Sequence, residues 1–306
     1  MGNNVFIPSS AQIQAVLEKV APDCKSFHLT AFSGDNANHT YLIDIEFEDK
    51  ASEKIVFRRY NVENGDCENK ARREYAALKM MHPSKLAVPE PILLDADGTL
   101  MGSPGIVTKY VPGIVIDVDT NPQAWAAGVL QLATSLAQIH NTAIDSAIKP
   151  LLMDGNAEIV WFLNRGTVPE YMSKYPDGTT IWHAVAELWQ HKQPIQPRLL
   201  HLDIWSGNIL WQGNSITAIM DWEEAAYGDP GIDVGYCRME YFLIGQDKAA
   251  EEFLRQYERE TGRPVENLPL WELAAAVRPL YGDYLTSAHM PGYQRFVTSA
   301  MQRSGL

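Results

Sequence analysis

The sequence predicts an α+β chain, with a small antiparallel sheet lobe first and a larger helical lobe after it. Three observations carry this prediction: strand-patterned segments crowd the first third, helical periodicities fill the remainder, and Pro112-Gly113 stands between the two regimes. The expected division is an N-terminal lobe over 1–108, a hinge over 109–113 and a helical lobe over 114–306.

In chain order, Ile13, Val16, Leu17 and Val20 recur at helical spacing behind Ser9 and Ser10, either of which can cap. Segments 27–32, 40–47 and 54–60 read as three strands of an antiparallel meander, the last two separated by the charged turn Glu48-Asp49-Lys50. A helix over 69–81 places Tyr75, Leu78 and Met81 on one side. Segment 88–94 is extended, and its Pro89 and Pro91 confine it to a sheet edge, because proline cannot donate to a ladder. A further strand covers 105–111. Asn121 then caps a helix with Pro122 in its first position, and Trp125, Val129, Leu132, Leu136 and Ile139 set its period. Two helices are expected between 157 and 191, and more over 233–245, 248–261, 270–279 and from 281 onward.

Composition narrows the function classes. The chain has 306 residues, 46% hydrophobic and 21% charged, enough for two lobes with a substantial core. A net charge of −13 argues against a nucleic-acid partner, which needs a basic face. It is compatible with a cationic substrate. Cys24, Cys67 and Cys237 are odd in number and far apart, which gives neither a disulfide framework nor a zinc spacing and fits a reducing, cytoplasmic location. The N-terminus lacks a charged-then-apolar signal pattern, and no run reaches the length of a membrane span, so no membrane partner is expected. The Asn38-His39-Thr40 sequon carries no meaning in such a location.

The informative stretch is His201-Leu-Asp-Ile-Trp-Ser-Gly-Asn208-Ile-Leu210, followed by Ile219-Met-Asp-Trp-Glu223. Residues 208–211 and 216–220 have strand character, and Gln212-Gly213-Asn214-Ser215 between them is a turn. Asn208 therefore opens a hairpin, Asp221 closes it, and Asp203 lies in the loop that enters it. Phosphoryl transfer needs one carboxylate to orient the attacking hydroxyl and take its proton, together with oxygen ligands that hold magnesium on the phosphates. Asp203 suits the first task, and Asn208 and Asp221 the second. Each of the three alone could be an ordinary turn residue; the full set on one short piece of chain is what points to chemistry.

The pattern His-x-Asp-x-x-x-x-Asn, hairpin, Asp resembles the catalytic and metal loop of kinase-like phosphotransferases. Trp222 and the later Gly228-Asp229-Pro230-x-x-Asp233 depart from protein kinases, as does the absence of Asp-Phe-Gly and Ala-Pro-Glu segments. They resemble the aminoglycoside phosphotransferase family, whose relatives include macrolide, choline and homoserine kinases. The resemblance implies a protein-kinase-like bilobal fold, a Mg2+ ion, ATP or GTP as co-substrate, and a small-molecule hydroxyl acceptor. That family usually has Gly where this chain has Leu202, a change expected to be accommodated if the backbone there keeps a negative φ.

The resemblance also distributes roles. The turn over 33–39, with Ser33 and Asn38, offers backbone N–H groups to phosphates, although a surface turn is an equal reading of those residues alone. Period two puts Lys54, Val56 and Arg58 on one strand face and Ile55, Phe57 and Arg59 on the other. Arg58 fills the family's phosphate-cation slot, with Arg59 as the alternative, and Glu74 resembles the helix carboxylate that pairs with that cation. Backbone groups of Lys109, Tyr110 and Val111 are implied to meet the purine edge. Trp205 and Glu223 are placed against the acceptor, while His201, Asp229 and Asp233 brace the loop. The aromatic-rich segment 150–195 is a candidate specificity insert. Two rival functions stay open: a metabolic kinase of an amino alcohol, sugar or homoserine-like acceptor, and a catalytically silent nucleotide-binding protein. The oligomeric expectation is a monomer or homodimer.

Overall fold

The computed structural model describes residues 7–31, 38–84, 86–282 and 284–305. Its contacts divide the chain into two compact units, one reaching Pro112 and including Met220–Glu224, the other comprising Gly113–Ile219 and Ala225–Leu306. Among the described residues, no helix is long and apolar enough to cross a membrane.

The first unit opens with α1 (Ser10–Val20), whose N-terminus is closed by a reciprocal Ser9–Gln12 capping box. Strands β1 (Ser26–Ala31), β2 (Asn38–Glu46) and β3 (Glu53–Tyr60) form the expected meander. Helix α2 (Cys67–Met81) follows, and then β4 (Pro91–Asp95) and β5 (Gly105–Lys109). The sheet order is β1-β2-β3-β5-β4, so the proline-bearing β4 lies at an edge. Ile13, Val16 and Leu17 of α1 pack with Tyr41, Ile43, Ile45, Ile55, Phe57 and Val107 of the sheet. Each such side chain contributes about 1.5–3 kcal/mol when fully buried. On α2 the buried stripe is Ala71, Glu74, Ala77, Leu78 and Met81, with Tyr75 at its border. Glu74 thus lies inside the apolar face rather than beside it.

The second unit begins with α3 (Pro122–Ala127) and α4 (Val129–His140). The single helix expected from the period of Trp125 to Ile139 is therefore broken at Gly128. A Cβ there would stand 2.2 Å from the Trp211 indole, so this position takes glycine, the residue least costly at a helix interruption. Segment 150–195 holds β6 (Met153–Asp154), α5 (Gly155–Ile159), α6 (Glu170–Ser173) and α7 (Gly178–Gln190). Strand β7 (Arg198–Leu200) leads into the 201–208 loop, and β8 (Ile209–Gln212) and β9 (Ser215–Ile219) form the hairpin, with Ile209 opposite Ile219. Next come β10 (Ala226–Gly228), α8 (Gly231–Leu243), α9 (Asp247–Thr261), α10 (Leu268–Ala275), α11 (Arg278–Tyr281) and α12 (Met290–Ser304).

Strand β10 pairs in parallel with β6 and antiparallel with β7, making a small sheet that the sequence reading missed. Its strands are two or three residues long, too short for any periodicity to register. The sheet has a consequence for the site. Ala226 faces Leu200, so the strand entering the 201–208 loop is fixed beside the strand that enters α8. Helix α8 buries Ile232, Val234, Cys237, Met239, Tyr241 and Phe242, and α10 buries Leu270, Trp271 and Leu273. These residues bury α8 in the core of the second unit.

Candidate catalytic site

Within the second unit, the 201–208 loop is suspended from Asp233 of α8. The fully buried Asp233 carboxylate accepts from the backbone N–H of His201 at 2.8 Å and of Leu202 at 2.9 Å. His140 Nε2, from the end of α4, lies 3.1 Å from it, and His140 Nδ1 lies 2.7 Å from the Tyr257 hydroxyl of α9. Burial by itself would raise this carboxyl. The hydrogen bond and charge of His140, with the His201 amide, outweigh it and hold Asp233 below its usual range. Within the loop, Asp203 N–H donates to His201 Nδ1 at 3.2 Å. Asp229 does a different job. It accepts from Gly231 N–H at 2.9 Å and from Asn267 Nδ2 at 2.8 Å, tying the start of α8 to the residue before α10.

Leu202 corrects an expectation. Its φ is +67°, not negative, so a side chain stands in the left-handed region that glycine tolerates. The cost is about 1–2 kcal/mol. The Leu202 N–H bond to Asp233, the Arg278 guanidinium on its carbonyl, and a side chain only 2% exposed hold the backbone there.

Asp203 leaves this brace with its carboxylate 31% exposed. Asn208 Nδ2 donates to its backbone carbonyl at 2.8 Å and to Oδ2 at 3.1 Å, which leaves the Asn208 amide oxygen as the free-ended branch of that side chain. The other carboxylate oxygen, Oδ1, accepts from Arg278 Nη2 at 3.1 Å and from the Tyr236 hydroxyl at 3.4 Å. The Arg278 guanidinium stacks over the Tyr236 ring at 4.1 Å. Glu240, one turn beyond Tyr236 on α8, is partly buried. Burial, with Asp203 and Asp119 nearby, pushes its carboxyl up to about 7 against the pull of Arg278. Trp205 is 38% exposed and lies over Gly207, where a Cβ would come 2.4 Å from the indole. Gly207 is therefore a close-approach glycine.

Within the first unit, the cation cluster centres on Arg58. Its Nη1 donates to Glu74 Oε1 at 3.2 Å, and its Nη2 donates to Asp221 Oδ1 at 2.6 Å and Glu223 Oε2 at 3.1 Å. Arg59 turns the opposite way, to the Met101 carbonyl at 2.9 Å and the Tyr41 hydroxyl. The alternation along β3 therefore separates the two arginines as period two requires. Glu74 also accepts from the Tyr60 hydroxyl. Burial pushes the Glu74 carboxyl up to about 7, opposed by Arg58 and reinforced by Asp221. Asp221 has a φ of +66°, a conformation that Asp adopts more readily than most residues.

Glu223, expected at the acceptor, has its carboxylate engaged by Arg58, by Lys70 Nζ at 2.9 Å and by Asn38 Nδ2 at 2.6 Å, while Arg73 donates to its carbonyl at 2.6 Å. Ser33 lies outside the described residues. The N–H groups of Lys109 and Tyr110 donate to the carbonyls of Glu90 and Lys54.

The sequence reading missed Lys70, Tyr236, Glu240 and Arg278. None sits in the loop motif. Only Lys70 had a signal, being one helical turn before Glu74 on the face of α2 that borders Arg58. Among the described residues, no group of three or more His, Cys, Asp or Glu converges as a self-sufficient metal site.

The model of the phosphotransferase enzyme family matches residues 28–268. A 4-hydroxytryptamine kinase from Psilocybe cyanescens is 24% identical over 258 residues, covering 75% of this chain and 72% of that protein. Among solved structures, a macrolide 2'-phosphotransferase from Brachybacterium faecium has a TM-score of 0.60 at 19% identity, covering 94% of this chain and 96% of that one. An aminoglycoside phosphotransferase solved as a streptomycin–ATP ternary complex has a TM-score of 0.62 at 14% identity, covering 94% and 92%. At these identities the structures share the fold. With the family model spanning most of its length, this chain belongs to the phosphotransferase enzyme family, as a kinase of small molecules.

Proposed function

We propose that this protein moves the γ-phosphoryl group of magnesium-bound ATP or GTP to a hydroxyl of an amine-bearing small molecule, with Asp203 taking the hydroxyl proton. One observation carries the reading: Asp203 is held from three sides, by Asn208, Tyr236 and Arg278, yet its carboxylate stays partly open. Geometry of this kind supplies orientation, which accounts for much of the rate in phosphoryl transfer. The acceptor oxygen forms a bond to the γ-phosphorus, the bond to the β,γ-bridging oxygen breaks, and the nucleoside diphosphate departs with that electron pair. Asp203 orients the acceptor hydroxyl and receives its proton.

Asn208 and Asp221 are the oxygen donors for magnesium. When bound, that ion neutralises charge on the phosphates. Arg58, countered by Glu74, steadies the phosphates, and Asn38 belongs to the same polar cluster. With the Lys109 and Tyr110 N–H groups committed to other strands, the Val111 N–H and the segment's carbonyls are the groups suited to a purine edge. Trp205 is the exposed aromatic wall offered to the acceptor. The amine-bearing class is supported by Glu240, whose carboxyl feels the charge of Asp203, by the 4-hydroxytryptamine on which one relative acts, and by the streptomycin held in the complex of another.

The test is a nucleotide-consumption screen over amino sugars, macrolides, aryl amines and amino alcohols, with wild type and Asp203→Ala side by side. Transfer by the wild type alone is the expected result, with nucleotide affinity retained in the variant. Equal turnover by both proteins would reject Asp203. A silent nucleotide-binding protein would instead show no transfer to any acceptor.

A further inference from the structure

The 201–210 loop contains no Lys or Arg, although it delivers the carboxylate at which a negatively charged phosphoryl group must arrive. The structure brings a cation from elsewhere. Arg278, the first residue of α11 and 75 positions beyond Asp203, spans two points of the loop. Its Nη1 donates to the Leu202 carbonyl and its Nη2 to Asp203 Oδ1 at 3.1 Å. Tyr236 supports the guanidinium from beneath, ring to Cζ at 4.1 Å, and its own hydroxyl points at the same carboxylate oxygen.

We infer that Arg278 is a positioning residue for phosphoryl transfer: its planar fork ties the strained Leu202 carbonyl to the Asp203 carboxylate and occupies Oδ1, so that Oδ2, steadied by Asn208, is the oxygen turned to the acceptor hydroxyl. This rests on the proposed role of Asp203. Three features support it. The contact is two-pronged, from two separate nitrogens held in a rigid planar fork that an ammonium lacks. The side chain is only 31% exposed, so it is held rather than trailing in solvent. The residue it grips besides Asp203 is the one whose φ is +67°, where the backbone most needs an external hold. Arg278 also sets the orientation of α11, whose other end carries Tyr281 against Trp161 and Tyr171 at ring distances of 5.4 and 5.2 Å.

The experiment uses the full chain with magnesium-ATP and the best acceptor from the screen above, comparing wild type, Asp203→Asn, Arg278→Ala and Arg278→Lys. A 1 Å misplacement of a reacting group costs on the order of 10²-fold. Arg278→Ala is therefore expected to lose roughly 10²-fold in kcat with the KM for ATP within about two-fold. Millimolar guanidinium should restore part of that loss in Arg278→Ala and none in Asp203→Asn, a response that a merely structural arginine would not give. If Arg278→Ala fails to fold, Arg278→Lys carries the test, because it keeps the charge without the fork; a roughly ten-fold lower kcat is expected. Full kcat in Arg278→Ala or Arg278→Lys, or a loss in Arg278→Ala that guanidinium leaves untouched, overturns the inference while an inactive Asp203→Asn keeps the proposed base. Turnover by Asp203→Asn at the wild-type rate would instead remove that base.

Discussion

Asp233→Asn probes the suspension of the loop directly. The wild-type carboxylate receives two backbone donors and the His140 ring, at 2.8, 2.9 and 3.1 Å, in a fully buried setting. An asparagine offers one oxygen and turns an NH2 toward the other donor. One charge-assisted bond of about 1.5–3 kcal/mol is lost and one buried N–H is left unpaired at about 1–3 kcal/mol. The total expected is about 3–5 kcal/mol, comparable to breaking a buried ion pair. For a protein of this size that corresponds to a fall in melting temperature of roughly 5–8 °C. Leu202 depends on one of these bonds to stay at positive φ, so Asp203 is displaced as well and kcat falls further than stability alone explains. The pH dependence has a definite sign. The folded-state carboxyl of Asp233 lies below its unfolded value, so its stabilisation is present above about pH 3.9 and is lost as pH falls through the folded value. Thermal melts of both proteins between pH 3 and 7, with kcat measured at pH 7, provide the assay. A variant that melts within about 2 °C of wild type and turns over at full rate would refute the brace.

Other expectations follow from the same geometry. Replacing Arg58 by Met leaves Glu74 buried without its main counter-charge, so the melting temperature should drop by the equivalent of about 3–5 kcal/mol and nucleotide affinity should fall with it; calorimetric titration with magnesium-ATP and a melt decide this, and unchanged affinity would speak against the phosphate role. The Glu74 carboxyl, pushed up to about 7 by burial, makes stability highest at low pH from this group and lost as pH rises through 7, by up to on the order of 3 kcal/mol. Glu74→Gln should flatten the melting profile between pH 5 and 8, whereas an unaltered slope would place the titration elsewhere. Leu202→Gly relieves about 1–2 kcal/mol of backbone strain but gives up a side chain whose truncation to Ala alone costs about 2–5 kcal/mol, so the variant should be less stable despite matching the family's usual residue. A higher melting temperature for it would show that strain outweighs burial here.

The sequence by itself determined what depends on short-range periodicity and local chemistry. Capping at Ser9 and Asn121, the β2–β3 and β8–β9 ladders and the edge placement of the Pro91 strand were all legible, because alternation, turn residues and proline act within a few positions. The order Asp203, Asn208, Asp221 was legible for the same reason: one hairpin separates the three residues. What only tertiary structure decided are the contacts between distant segments. Arg278 reaches back 75 residues to Asp203, and nothing near it in the sequence marks it as different from a surface arginine. Position 128 must be glycine because Trp211 fills the space beside it, and the Glu223 carboxylate is engaged by Lys70 and Arg58. The positive φ of Leu202 belongs here too, since that conformation is disfavoured for a residue with a side chain and is held by Asp233 and Arg278, from two later helices, together with the burial of the side chain. Local sequence sets which conformations are cheap, and packing among remote elements decides where the chain accepts an expensive one.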